Sequence, residues 1–84
     1  MPVHMVSVGK KAAMNLMESK WWEGKTPREI AKFQLFVEER CCPFRVLHKA
    51  VEQSLGRRIS IYEFGFNYET ICMEFLKNKE KNLT

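Results

Sequence analysis

Residues 26–56 read TPREIAKFQLFVEERCCPFRVLHKAVEQSLG, and their punctuation decides the fold. Thr26 is placed to cap a helix, Pro27 fits the first helical position, and Glu29 completes a capping box. The spacing predicts a helix to about Arg40, with Ile30, Phe33, Phe36 and Val37 as its buried stripe. Leu35 falls on the opposite side, which makes it either a second contact face or, the simpler reading, an isolated exposed leucine. Cys41-Cys42-Pro43 then hinges a second helix, because proline restricts the residue before it and suits a helix start. On that helix Phe44, Leu47, Val51 and Leu55 keep one face, His48 lies in the same stripe, and Gly56 closes the helix.

Upstream, a helical pattern from about Gly9 to Trp22 puts Ala13, Leu16, Met17 and Trp21 on one face. Trp21 and Trp22 sit about 100° apart on a helix, so one is expected in the core and the other at its rim. Gly24 is the expected stop. Val6–Val8 and Ile59–Ile61 alternate and suit a short two-stranded element. The second segment reads equally as a helical turn capped by Ser60 with Glu63. Gly65 and Asn67 separate it from a last helix with Tyr68, Ile71, Cys72, Phe75 and Leu76 on one face. The polar tail 78–84 is expected to fray. The expectation is a mainly α, single-domain bundle of three to four helices, with or without the two-stranded element, ordered over about 9–77.

The totals agree with one small domain: 84 residues, 45% hydrophobic and 12% aromatic, too apolar for a disordered chain. No apolar run approaches the roughly 20 residues of a membrane span, and the N-terminus lacks the pattern of a signal peptide. A cytoplasmic protein without a membrane partner is expected. Three cysteines, two of them adjacent, make no disulfide framework, so reduced thiols are the default. The formal charge of +4 permits contact with nucleic acid or an acidic protein surface and demands neither.

Cys41, Cys42, His48 and Cys72 are the residues with metal-ligand chemistry. Adjacent cysteines do not offer the spacing zinc requires, so no metal or cofactor is expected. His48 has the chemistry of a general base, but no partnering nucleophile or acid is identifiable, and a core histidine bonded to a carbonyl or carboxylate is the simpler reading. An enzyme is not expected. The two helices outline a helix-turn-helix, and Arg45, Lys49 and Gln53 recur every fourth residue on an outward face that Arg57 and Arg58 extend. Glu38 and Glu39 at the hinge and Glu52 on the helix count against it. Trp21, Trp22, Tyr62, Phe64 and Phe66 make an aromatic surplus of the kind that anchors protein interfaces.

The run from Thr26 through Glu29-Ile30-Ala31, Gln34-Leu35-Phe36, Cys41 with Pro43-Phe44, His48 with Ala50, Leu55-Gly56-Arg57 and Glu63-Phe64 resembles a family of small, uncharacterised proteins encoded by phages and prophages. The likeness covers about half of the chain. It implies a phage origin and, by association, a non-enzymatic protein that docks on and modulates or inhibits a host or anti-phage defence macromolecule. The alternative is a small basic helical protein that binds DNA or RNA through Arg45, Lys49, Gln53, Arg57 and Arg58.

Overall fold

The capping box forms as the sequence dictates: the Glu29 amide donates to Thr26 Oγ1 at 3.1 Å, and the Thr26 amide donates to Glu29 Oε1 at 2.9 Å. It starts the second of five helices in the computed structural model, which describes residues 5–82. These are α1 (Lys10–Ser19), α2 (Pro27–Gln34), α3 (Phe44–Leu55), α4 (Ile61–Phe66) and α5 (Tyr68–Asn82). The fold is mainly α. α2 packs along α3, α5 packs on α3, and α4 leans on α5.

α2 ends at Gln34, short of the expected Arg40, because the next residues bond elsewhere. Val6 donates its amide to Phe36 O at 2.8 Å, and Glu38 donates to Val6 O at 2.9 Å, a parallel bridge between Val6 and Val37. This replaces the expected pairing of Val6–Val8 with Ile59–Ile61. The Ile59–Ile61 segment instead enters α4, whose first turn Ser60 caps by accepting from the Glu63 amide at 3.1 Å.

Leu35 is fully buried, contrary to the exposed position expected from an unbroken helix. It occupies the C-cap of α2, where Tyr68 Oη donates to its carbonyl and Cys72 Sγ approaches the same oxygen at 3.7 Å. The main core gathers Ile30, Leu35, Leu47, Val51, Ile59, Phe64, Ile71 and Phe75 from α2 to α5. A smaller cluster of Ala13, Val37 and Cys41 attaches α1 to the α2–α3 connection. Trp21 meets Phe33 edge-on at 4.8 Å and joins the two clusters.

Three further expectations change. α1 stops at Ser19 because Lys20 itself takes the left-handed conformation, φ 53°, and Gly24 serves the turn that follows. Gly65 lies within α4, so Asn67 alone separates α4 from α5. α5 continues to Asn82, past the point where its polar composition predicts fraying. Residues 83–84 of that tail lie outside the described residues.

Candidate docking surfaces

α4 is short, but three devices fix its orientation. Ser60 caps it, Phe64 is its buried side chain, and Glu63 is gripped by Arg57 at 2.7 Å. The Arg57 guanidinium also pairs with Glu74 of α5 at 2.7 Å, clamping α4, α5 and the preceding loop together. Its hydrogen bonds to the two carboxylates, Glu74 first, raise the arginine pKa and hold both glutamates below the usual carboxylate range. At about 100° per residue, burying Phe64 and turning Glu63 to Arg57 leaves Ile61, Tyr62, Gly65 and Phe66 on the other side. They face solvent: Ile61 is 65% exposed, Tyr62 77% and Phe66 84%. Beside them opens a groove of about 550 Å³, floored by Val37, Phe44, Leu47 and Tyr68 and edged by Glu38 and Arg40. The Arg40 guanidinium lies 5.3 Å from the Phe44 ring centre, so a cation stands over the aromatic part of the recess.

Of the five aromatic residues expected at a protein interface, only Tyr62 and Phe66 stand free of the core. Phe64 belongs to the core, where it packs edge-on against Phe44 and His48. Trp21 and Trp22 are both half-buried, so neither has the core or rim to itself. Trp21 Nε1 donates to the Cys41 carbonyl at 2.9 Å, which makes that ring a brace for the α2–α3 connection. Ile61 was not among the residues singled out from sequence. The Ser60–Glu63 capping pair was the signal that would have placed it, because it sets the phase of α4.

The basic residues divide similarly. Arg45, Lys49 and Gln53 are exposed on α3 and, with Lys25, Pro27, Ile30, Val46 and Ala50, line a second groove of about 430 Å³ between α2 and α3. Arg58 is exposed, whereas Arg57 is committed to its two glutamates and leaves the expected basic patch. The α2–α3 connection spans residues 35–43, longer than the three- or four-residue turn of a helix-turn-helix. Gln34 organises it: Nε2 donates to Glu39 O at 2.9 Å and Oε1 accepts from the buried Cys41 amide at 2.7 Å.

His48 is held in place by the fold. It stacks on Phe44 with ring centres 5.6 Å apart, and its Nε2 meets the Ile59 carbonyl and lies 3.4 Å from Glu52 Oε2. Glu52 in turn accepts from the Ile59 amide at 2.8 Å, so the pair ties the loop after α3 back onto that helix. Among the described residues, no group of three or more His, Cys, Asp or Glu side chains is placed to hold a metal ion. No helix among them is long and apolar enough to cross a membrane.

Glutamates also accept from backbone amides outside the helices. Glu39 accepts from the Val8 and Gly9 amides at 3.0 and 3.1 Å and from Ser7 Oγ, supplying the N-terminal cap that Gly9 cannot. The Ser7 hydroxyl and the Val8 amide lower its pKa, and the Thr26 amide and hydroxyl lower that of Glu29. Glu29, Glu39, Glu63 and Glu74 therefore titrate lower folded than unfolded, so the unfolded chain binds more protons below the ordinary value near 4.5. Stability is expected to be complete above that pH and to fall as pH drops through the folded values; Glu39→Gln should flatten the slope of the urea midpoint against pH. At the other end, burial pushes Cys42 and Cys72 from 9.0 up to about 11. Here the unfolded chain loses protons first, so stability present below pH 9 should decline as pH rises through 11.

Compared with protein-family models, with curated proteins and with solved structures, the chain finds no match.

Proposed function

We propose that this protein is a non-enzymatic binding protein that docks on another protein through the outer face of α4 and the groove beside it. One observation carries the reading: Ile61, Tyr62 and Phe66 stand exposed on one helix face while that helix is held by a cap, a buried Phe64 and the Arg57 clamp. Large apolar side chains on a fixed backbone gain most from being covered, since little order must be imposed on binding. Aromatic anchors beside a recess are the usual form of an interface hot spot. The phage-type resemblance supports a partner among host or defence proteins of an infected cell.

The test uses two substitutions together, Tyr62→Ser and Phe66→Ser. Both side chains face water in the free protein, so the urea midpoint should correspond to a stability within about 0.5 kcal/mol of wild type. A photo-crosslinker at position 62 should join the protein to a defined partner in infected host cells, whereas one at Lys11, on α1, should not. Affinity for that partner should drop on the order of a hundredfold in the double variant. Unchanged binding would remove α4 from the account.

A second reading, DNA or RNA binding, is favoured by the exposure of Arg45, Lys49, Gln53 and Arg58. It predicts salt-dependent retention of duplex in a gel shift, lost on Arg45→Ala with Lys49→Ala.

A further inference from the structure

The groove between α2 and α3 has a chemistry of its own. Its floor is apolar, from Pro27, Ile30, Val46 and Ala50, and its rim carries Lys25, Arg45 and Lys49 with Gln53, with no acidic residue in its lining. Among the described residues no carboxylate pairs with Arg45 or Lys49. Lys25 lies near Glu29, whose carboxylate is already committed to the Thr26 cap.

The imbalance has a structural origin. Glu29, Glu39, Glu52, Glu63 and Glu74, half of the ten acidic residues, accept hydrogen bonds from the chain's own backbone or from Arg57. Among the described residues, Arg45 and Lys49 on the groove's rim are left without a carboxylate partner.

We infer that this groove is a second docking site, and that its occupant is an acidic amphipathic peptide segment of a partner protein. Arg45 and Lys49 are one helical turn apart, about 6 Å along α3. Carboxylates at i and i+4 of a helical segment, or at i and i+2 of an extended one, repeat at about that distance. Apolar side chains between them would then cover Ile30 and Val46. A nucleic acid fits less well. The groove offers no aromatic ring on which a base could stack, and its apolar floor has no counterpart on a phosphate backbone.

The site is separate from the α4 face. On α3 the groove residues Arg45, Val46, Lys49 and Gln53 centre roughly 175° from Phe44 and Leu47, which line the recess beside α4. The two can therefore fail independently.

Fluorescence anisotropy on the whole protein tests the proposal with three labelled probes. These are a Glu/Leu amphipathic peptide of about 14 residues, an all-Glu peptide of the same length, and a short DNA duplex. The Glu/Leu peptide should bind tightest, and Arg45→Gln with Lys49→Gln should weaken it about tenfold. Lys11→Gln with Lys32→Gln, which removes the same charge elsewhere, should leave binding unchanged, as should Tyr62→Ser with Phe66→Ser. All four altered cations are exposed, and circular dichroism checks that each variant keeps its fold. Three results would overturn the inference: no binding of the Glu/Leu peptide; equal binding of the all-Glu peptide or equal loss in the control pair, which leaves only diffuse charge; or tighter duplex binding lost on Arg45→Gln with Lys49→Gln, which assigns the face to nucleic acid.

Discussion

Phe75→Ala is expected to destabilise the protein by about 3–5 kcal/mol, the range for deleting a buried phenylalanine ring. A domain of this length has roughly 4–13 kcal/mol in total, so the loss is about a quarter of its stability or more. The site explains the size of the effect. Phe75 is fully buried where α5 meets the rest of the core, 6.3 Å from the Phe36 ring. The Arg28 guanidinium lies 5.2 Å from its ring centre, and Arg28 Nη2 reaches Asn78 Oδ1 at 3.1 Å. Removing the ring therefore opens a cavity and takes away the surface on which a half-buried cation rests. Phe75→Leu should cost less than about 1.5 kcal/mol beyond the lost contacts of an imperfect fit. Urea titration of both variants checks this, and a loss under about 1 kcal/mol for alanine would show that α5 contributes little to the core.

Gln34→Leu is expected to cost about 2–4 kcal/mol although it places a more apolar residue in a buried position. The amide of Gln34 serves two partners at once, the Cys41 N–H and the Glu39 carbonyl. Leucine would leave the Cys41 amide buried with no acceptor, and an orphaned group of this kind costs about 1–3 kcal/mol. The damage should spread, because the same connection positions the Glu39 carboxylate at the start of α1 and receives the Trp21 indole. Loss of Trp21 fluorescence burial in step with the urea midpoint would show that spread. A midpoint within about 0.5 kcal/mol of wild type would show that water replaces the amide and that the connection holds without it.

Gln34 also shows where the sequence misleads. Positions 35–40 continue with residues that favour a helix, and nothing local marks a stop after Gln34. The stop comes from Val6, 30 residues upstream, which takes Phe36 O and Glu38 N into a bridge. Leu35 itself keeps the helical backbone, its amide bonded to Ala31 O at 2.9 Å, and its side chain enters the core with Ile30 and Ala31. The same limit governs the candidate sites. Tyr62, Phe64 and Phe66 look alike as letters, and only the docking of α4 against Phe44 and Arg57 decides that Phe64 is core and the other two are surface. Arg57 and Arg58 are adjacent and chemically equal, yet one is a structural clamp and the other is exposed because Glu63 and Glu74 converge on one side.

By itself the sequence determined the mainly α class, the Thr26–Glu29 capping box, the Gly56 stop and the buried stripe of α3. Each is set by residues at most a few positions apart, within reach of a single helical turn. The tertiary structure alone decided the end of α2, the burial of Leu35, the capping of α1 by Glu39, and which aromatic and basic side chains face outward. Those depend on groups brought together from as many as 37 positions apart, as when Cys72 Sγ and the Leu35 carbonyl meet. Burial and charge pairing of that kind are properties of the assembled core, which no local pattern encodes.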